Sequence, residues 1–162
     1  MIIVNHPFYL PKWAYHLVRT CFCDKILIMK EYAIRLIEGQ DLKQSIVKFA
    51  KENHIQCGVV VASVGCLKNL RVRNAGATEI ISKNEDFEIL SLNGTIADEG
   101  NVHLHLCVSD CNLNAYGGHL VDGNIVNTTV ELVILELAEY SATRQFDNST
   151  GYDEIVFERK KK

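Results

Sequence analysis

Proline and tryptophan are scarce in this 162-residue chain, with two of the first and one of the second. All three (Pro7, Pro11 and Trp13) fall within the first 28 residues, where none of the ten glycines lies. No apolar run approaches the ~20 residues that a membrane-spanning helix needs. No basic region, apolar stretch and small-residue cleavage site follow one another at the amino terminus. The expectation is a soluble cytoplasmic protein without a membrane partner. Basic charge is also short: the formal net charge is −3. That is a poor electrostatic footprint for binding DNA, where phosphate contacts carry most of the affinity. Gly-x-Ser-x-Gly, a Walker loop, a dinucleotide fingerprint and Cys-x-x-Cys are all missing, so no known enzymatic activity is indicated and no catalytic residue is assigned.

What is present is an ordinary globular composition, 48% apolar and 23% charged, at the length of one domain with a real core. Six cysteines are present, and Cys57 and Cys66 flank the apolar run 58–65. There they read as small buried hydrophobes with reduced thiols. Regular patterning starts after Met29, the only methionine besides Met1. Residues 1–28 are therefore expected to be an amino-terminal extension. Either Met29 is the true translation start, or the extension covers an apolar patch. A domain over 29–158 and a basic tail over 159–162 complete the division.

The domain opens with a strand that places Tyr32, Ile34 and Leu36 on one face, closed by Gly39. A helix follows, with Asp41 as N-cap and Gln44 at the capping-box spacing. Its apolar face is Leu42, Ile46, Phe49 and Ala50. The run 58–65 (GVVVASVG) has the near-continuous apolarity of a central strand covered on both faces. Further strands are predicted at 70–73, 87–92, 102–108, 128–137 and 154–157, with Asn93-Gly94 as a hairpin signal. The sum is an α+β domain: a mostly antiparallel sheet of about six to seven strands with a flanking helix.

Chemistry concentrates in three of the six histidines. Side chains alternate along a strand, so His103 and His105 project the same way, with Cys107 in line and Leu104, Leu106 and Val108 behind. Gly117-Gly118-His119 follows, and the two glycines are expected to form a loop that brings a third imidazole to the site. Three neutral imidazoles suit a divalent metal, zinc above all, with a fourth position open to water or a ligand. The plainer alternative is a set of hydrogen-bonded or interface histidines. His6, His16 and His54 look incidental, and Cys111 sits in a polar loop. Glu131 lies inside an apolar strand, where it either orients a histidine or faces solvent.

The segments 39–46 (GQDLKQSI), 59–65 (VVVASVG), 87–96 (FEILSLNGTI), His103-Leu104-His105, Gly117-Gly118-His119-Leu120 and 128–137 (TTVELVILEL), in this order, resemble the PPC (plant and prokaryote conserved) domain. The match spans nearly all of 29–158 and is closest in kind to the stand-alone prokaryotic members. The resemblance implies an antiparallel sheet with flanking helices, assembled as a homotrimer. It also implies a histidine cluster that holds a metal, which maps onto His103, His105 and His119, with Glu131 at an acidic position beside it. Two departures matter. Glu85-Asp86 stand where the plant motif has Gly-Arg before Phe-Glu-Ile-Leu, and no Arg-Gly-Arg-Pro hook core occurs. The plant proteins' link to DNA does not transfer directly.

Three functions stay open. The first is a metal-binding or small-ligand module built on the histidine trio. The second is a DNA-binding regulator, with Lys68, Arg71 and Arg73 as nucleic-acid contacts. The third is an oligomerisation module whose interface is the β-branched run 128–137.

Overall fold

The computed structural model describes residues 30–161. The expected extension over 1–28, with His6 and His16, lies outside the described residues.

The first strand, β1 (Lys30–Ile37), ends in a turn at Gly39, and α1 (Leu42–Glu52) begins at once. Asp41 caps the helix as its spacing requires, its carboxylate accepting from the Gln44 N–H at 2.9 Å. Its second oxygen accepts from the Gly123 N–H, which ties the helix start to a distant loop. Leu42, Ile46 and Ala50 are fully buried, and Phe49 packs its ring edge-on against Tyr32 at 5.3 Å.

The remaining strands are β2 (Cys57–Leu67), β3 (Leu70–Arg73), β4 (Ile80–Lys83), β5 (Phe87–Ala97), β6 (Val102–Ser109), β7 (Ala115–Leu120), β8 (Val126–Glu136), β9 (Tyr140–Asp147) and β10 (Tyr152–Arg159). Eight form one sheet in the order β1-β8-β2-β5-β6-β7-β3-β4, and β9 and β10 form a separate hairpin. Every pairing is antiparallel. Ten strands exceed the six to seven that the sequence predicts. The additions are β4, β7 and β9, which are short, polar or glycine-bearing and lack the apolar alternation by which a half-buried strand is read. Arg159 belongs to β10 and pairs with Glu139, so the basic tail is one residue shorter than predicted.

Asn93-Gly94 makes no hairpin. β5 runs straight through it, with Gly94 opposite Leu104 on β6 and Val60 on β2. Gly94 has φ +149°, and a Cβ there would run into the backbone carbonyl of His103. The glycine serves a close strand approach inside a sheet rather than a turn.

Bulges at Val60/Ala62 on β2 and at Ile89/Ser91 on β5 strengthen the coiling of the sheet. As a result β3 returns towards the segment that precedes β8. The fully buried Asn124 closes this seam: its Oδ1 accepts from the Arg71 N–H, and its Nδ2 donates to the carbonyls of Arg71 and Val121, each at 2.8 Å. The helix and one face of the sheet enclose the main core, which includes Leu36, Val60, Phe87, Ile96, Leu106 and Ile134, and a smaller cluster of Cys57, Ala97 and Ala142 lies apart from it. The run 58–65 is central, between β8 and β5, but among the described residues only one of its faces is well covered. Val61 and Val64 remain 47% and 58% exposed.

Candidate functional site

The site is built on the β6–β7 pair. Alternation along β6 buries Leu104, Leu106 and Val108, and it turns His103 and His105 to the other face. Antiparallel pairing then sets His105 directly opposite His119 on β7. The tight connection between the two strands is organised by the buried Asp110. Its carboxylate accepts from the N–H groups of Asn112 and Asn114, from the Asn114 amide and from the Tyr116 hydroxyl. These donors hold its pKa below the usual aspartate value, the Asn114 side chain most of all.

Gly117 and Gly118 are not in a loop. They are the middle of β7, opposite Cys107 and Leu106. A Cβ on Gly117 would lie 2.9 Å from the carbonyl oxygen of Leu106, and one on Gly118 would lie 2.6 Å from that of Arg73. The glycines thus let β7 fit closely between β6 and β3, which is the part of the expectation that survives.

The three imidazoles converge. Ring centroids stand 5.2 Å apart for His103–His105, 5.0 Å for His103–His119 and 5.7 Å for His105–His119. One nitrogen from each falls within 4.8 Å of the others. The Nδ1 of His119 is buried without a hydrogen-bond partner among the described residues. Burial, and secondarily the Arg73 guanidinium, pushes the His119 pKa down to about 4. Burial also lowers that of His103, with the Arg144 cation as the next cause. His103 and His119 are therefore held as free bases near neutral pH, the form in which imidazole donates to a metal. Three converging imidazoles, one with a buried nitrogen that has no partner among the described residues, fit a divalent cation.

Around the trio stand groups that the sequence did not connect with it. Arg73 on β3 is in register with His119, and its Nε is buried without a partner among the described residues. Arg144 on β9 and Glu154 on β10 both act electrostatically on His103. Tyr152, also on β10, joins Arg73, His105 and His119 in lining a cavity of about 530 Å3. No local signal marks Arg144, Tyr152 or Glu154, because the folding-back of the hairpin alone brings them here.

Other candidate residues go elsewhere. Glu131 is exposed on β8, opposite Arg35 and Val64. Two strands, β2 and β5, separate β8 from β6. Three strand spacings amount to roughly 14 Å, so within one chain Glu131 does not touch the histidines. Lys68 is ion-paired with Glu38 at 2.6 Å. Arg71 donates to the Asp122 carbonyl at 3.0 Å. With Arg73 turned to the trio, the three cations form no common free surface. Cys107 and Cys111 stand outside the cluster of potential ligands, and both are free thiols, as are Cys57 and Cys66.

Comparison with known proteins places the fold and the family. The chain is 41% identical over 131 residues to the bifunctional protein GlmU of Synechococcus sp. (strain JA-3-3Ab), a match that covers 81% of this chain. It spans only about a fifth of the length of the curated relatives it matches, 21% and 20%. A solved structure from Salmonella cholerae-suis is similar at a TM-score of 0.78 with 35% identity, covering 83% of this chain and 97% of that one. A metal-containing protein of Archaeoglobus fulgidus is similar at a TM-score of 0.64 with 26% identity, over 78% and 93% of the two chains. A protein of Bacteroides thetaiotaomicron whose name proposes DNA binding is similar at 0.71 with 25% identity, over 80% and 93%. The family model of the Plants and Prokaryotes Conserved (PCC) domain matches residues 25–138, and with these relatives it establishes that the chain belongs to the PCC domain family.

Proposed function

We propose that this PCC domain binds a divalent metal, zinc in the first instance, through His103, His105 and His119, and that it does so as a homotrimer. The observation that carries the reading is the convergence of three imidazole nitrogens within 4.8 Å, one of the rings having a buried nitrogen with no partner among the described residues. A polar atom buried without a hydrogen bond is costly, and coordination removes that cost. The metal-containing relative from Archaeoglobus fulgidus supports the same reading. Bound zinc would supply a Lewis acid with a position open to a small ligand. The chain's own residues fix the three donors on two paired strands and favour the free base at His103 and His119.

The test is metal content per chain by elemental mass spectrometry, on protein without a histidine tag. Near-stoichiometric metal is expected, and its loss in a His103→Ala/His105→Ala variant. Metal-free protein that also refuses zinc loading would reduce the trio to packing histidines.

The trimer is supported by the outer face of β2 and β5, which the described residues leave open. There Val61, Val64 and Leu90 are exposed, the last at 55%, while the helix covers the other face. Contiguous apolar surface of this kind marks an association site. The β-branched run 128–137 contributes less than its composition predicts, because Val130, Leu132 and Ile134 are spent in the chain's own core. DNA binding draws support from the name of the Bacteroides relative. The pairing of Lys68 and the engagement of Arg71 weigh against it.

A further inference from the structure

We infer that the cavity beside the trio is a subsite for a small oxyanion, the carboxylate or phosphate group of a small molecule, with Arg73 as its anchor. The inference rests on the metal-site reading and goes on to name the ligand class.

The cavity opens between the β3–β4 turn, β7 and β10, and measures about 530 Å3. Its walls are small where they are apolar, with Ala75 and Ala77 on the turn, which leaves room for a small molecule. Its polar side chains are those of Arg73, Asn74, His105, His119 and Tyr152. The Arg73 Nε is buried and lacks an acceptor among the described residues. Its neighbour on the same strand face, Arg71, is by contrast occupied by the Asp122 carbonyl and packs against Gly123. An Nε–H withdrawn from water without an acceptor is costly to leave unpaired. The planar fork of arginine is matched best by an oxyanion that takes two hydrogen bonds in parallel.

Charge points the same way. Arg73 and Lys43 act on His119, and Arg144 and Arg73 act on His103. Lys43 is already paired with Asp122, and Glu154 is the one carboxylate acting on His103. A divalent cation placed on the trio leaves the region strongly positive. An anion bridging the metal's open position and the Arg73 fork offsets that charge and satisfies the orphaned donor in one step. The turn that frames the mouth is rigid: the Asn74 side chain accepts from the N–H groups of Thr78 and Glu79, each at 3.1 Å. The subsite is thus formed before its ligand arrives.

The experiment uses the full chain in metal-loaded and metal-free forms. Acetate and inorganic phosphate are titrated by calorimetry into wild type, Arg73→Gln and Arg73→Lys. Metal content and thermal melting are recorded for each protein. Saturable binding of one anion that weakens at least tenfold in Arg73→Gln, at unchanged metal content and melting, is the expected result. Arg73→Lys should lie between, since it keeps the charge and loses the fork. The preferred anion identifies the ligand as a carboxylate or a phosphate. Folded, metal-loaded protein that binds neither anion, or binds equally with and without Arg73, overturns the inference and leaves the metal site standing. If no metal loads, the metal reading fails by itself. Arg73-dependent binding to the metal-free protein then still supports the subsite, and its absence overturns it.

Discussion

His119 shows how a single side chain takes its chemistry from its surroundings. On sequence it is a histidine after two glycines. In the fold it is partly buried beside Arg73, and its pKa drops from 6.5 to about 4. The unfolded chain takes up a proton at this residue near pH 6.5, whereas the native chain does so only near pH 4. Between those values the unfolded state binds more protons, so native stability falls as the pH falls. The contribution is complete above about pH 6.5, and no further loss comes from this group below about pH 4. Metal-free wild type should therefore lose denaturant stability across this window more steeply than His119→Gln. Parallel slopes would show that His119 is not the titrating group. His103 shifts in the same direction, so it adds to the wild-type slope and persists in the variant.

At the scale of elements, the decisive unit is β7 held between β6 and β3. Composition argues against a strand at Ala115–Leu120, since two adjacent glycines weaken one. The structure uses them because neighbouring carbonyls come too close for a Cβ. Gly118→Ala should cost about 1–3 kcal/mol, the range for forcing extra volume into a packed site. It should also lower metal affinity, because moving β7 away from β3 separates His119 from Arg73 and displaces it against His105 on β6. Thermal denaturation with a zinc titration checks both effects. A stable variant with full affinity would mean that the close approach is incidental. The same logic corrects Asn93-Gly94, where the dipeptide carries a turn signal but the glycine serves the contact between β5 and the His103 backbone.

For the whole molecule, the question is what covers the outer face of the sheet. A strand as apolar as 58–65 is normally buried on both sides. Here one side faces the core and the other exposes Val61 and Val64. Light scattering on wild type should give three chain masses. A Val64→Asp/Leu90→Asp variant should dissociate while keeping its far-ultraviolet circular dichroism. A monomeric wild type would remove the trimer, and an unchanged oligomer in the variant would place the interface elsewhere. Glu131 lies on this same face opposite Val64, so assembly also decides what that carboxylate meets.

The sequence by itself determined the class, the single capped helix, seven of the strands and the family, because apolar period, capping and motif order are local properties of the chain. It also determined that His103 and His105 share a face, since alternation is built into any strand. Tertiary structure alone decided the rest. Which strand lies beside β6, and in what register, depends on pairings between residues far apart in sequence, and these brought Arg73 opposite His119. The fold-back of β9 and β10 added Arg144, Tyr152 and Glu154, and the strand order set Glu131 apart from the histidines of its own chain. Local pattern fixes where a side chain points along its own strand, and long-range pairing fixes what it points at.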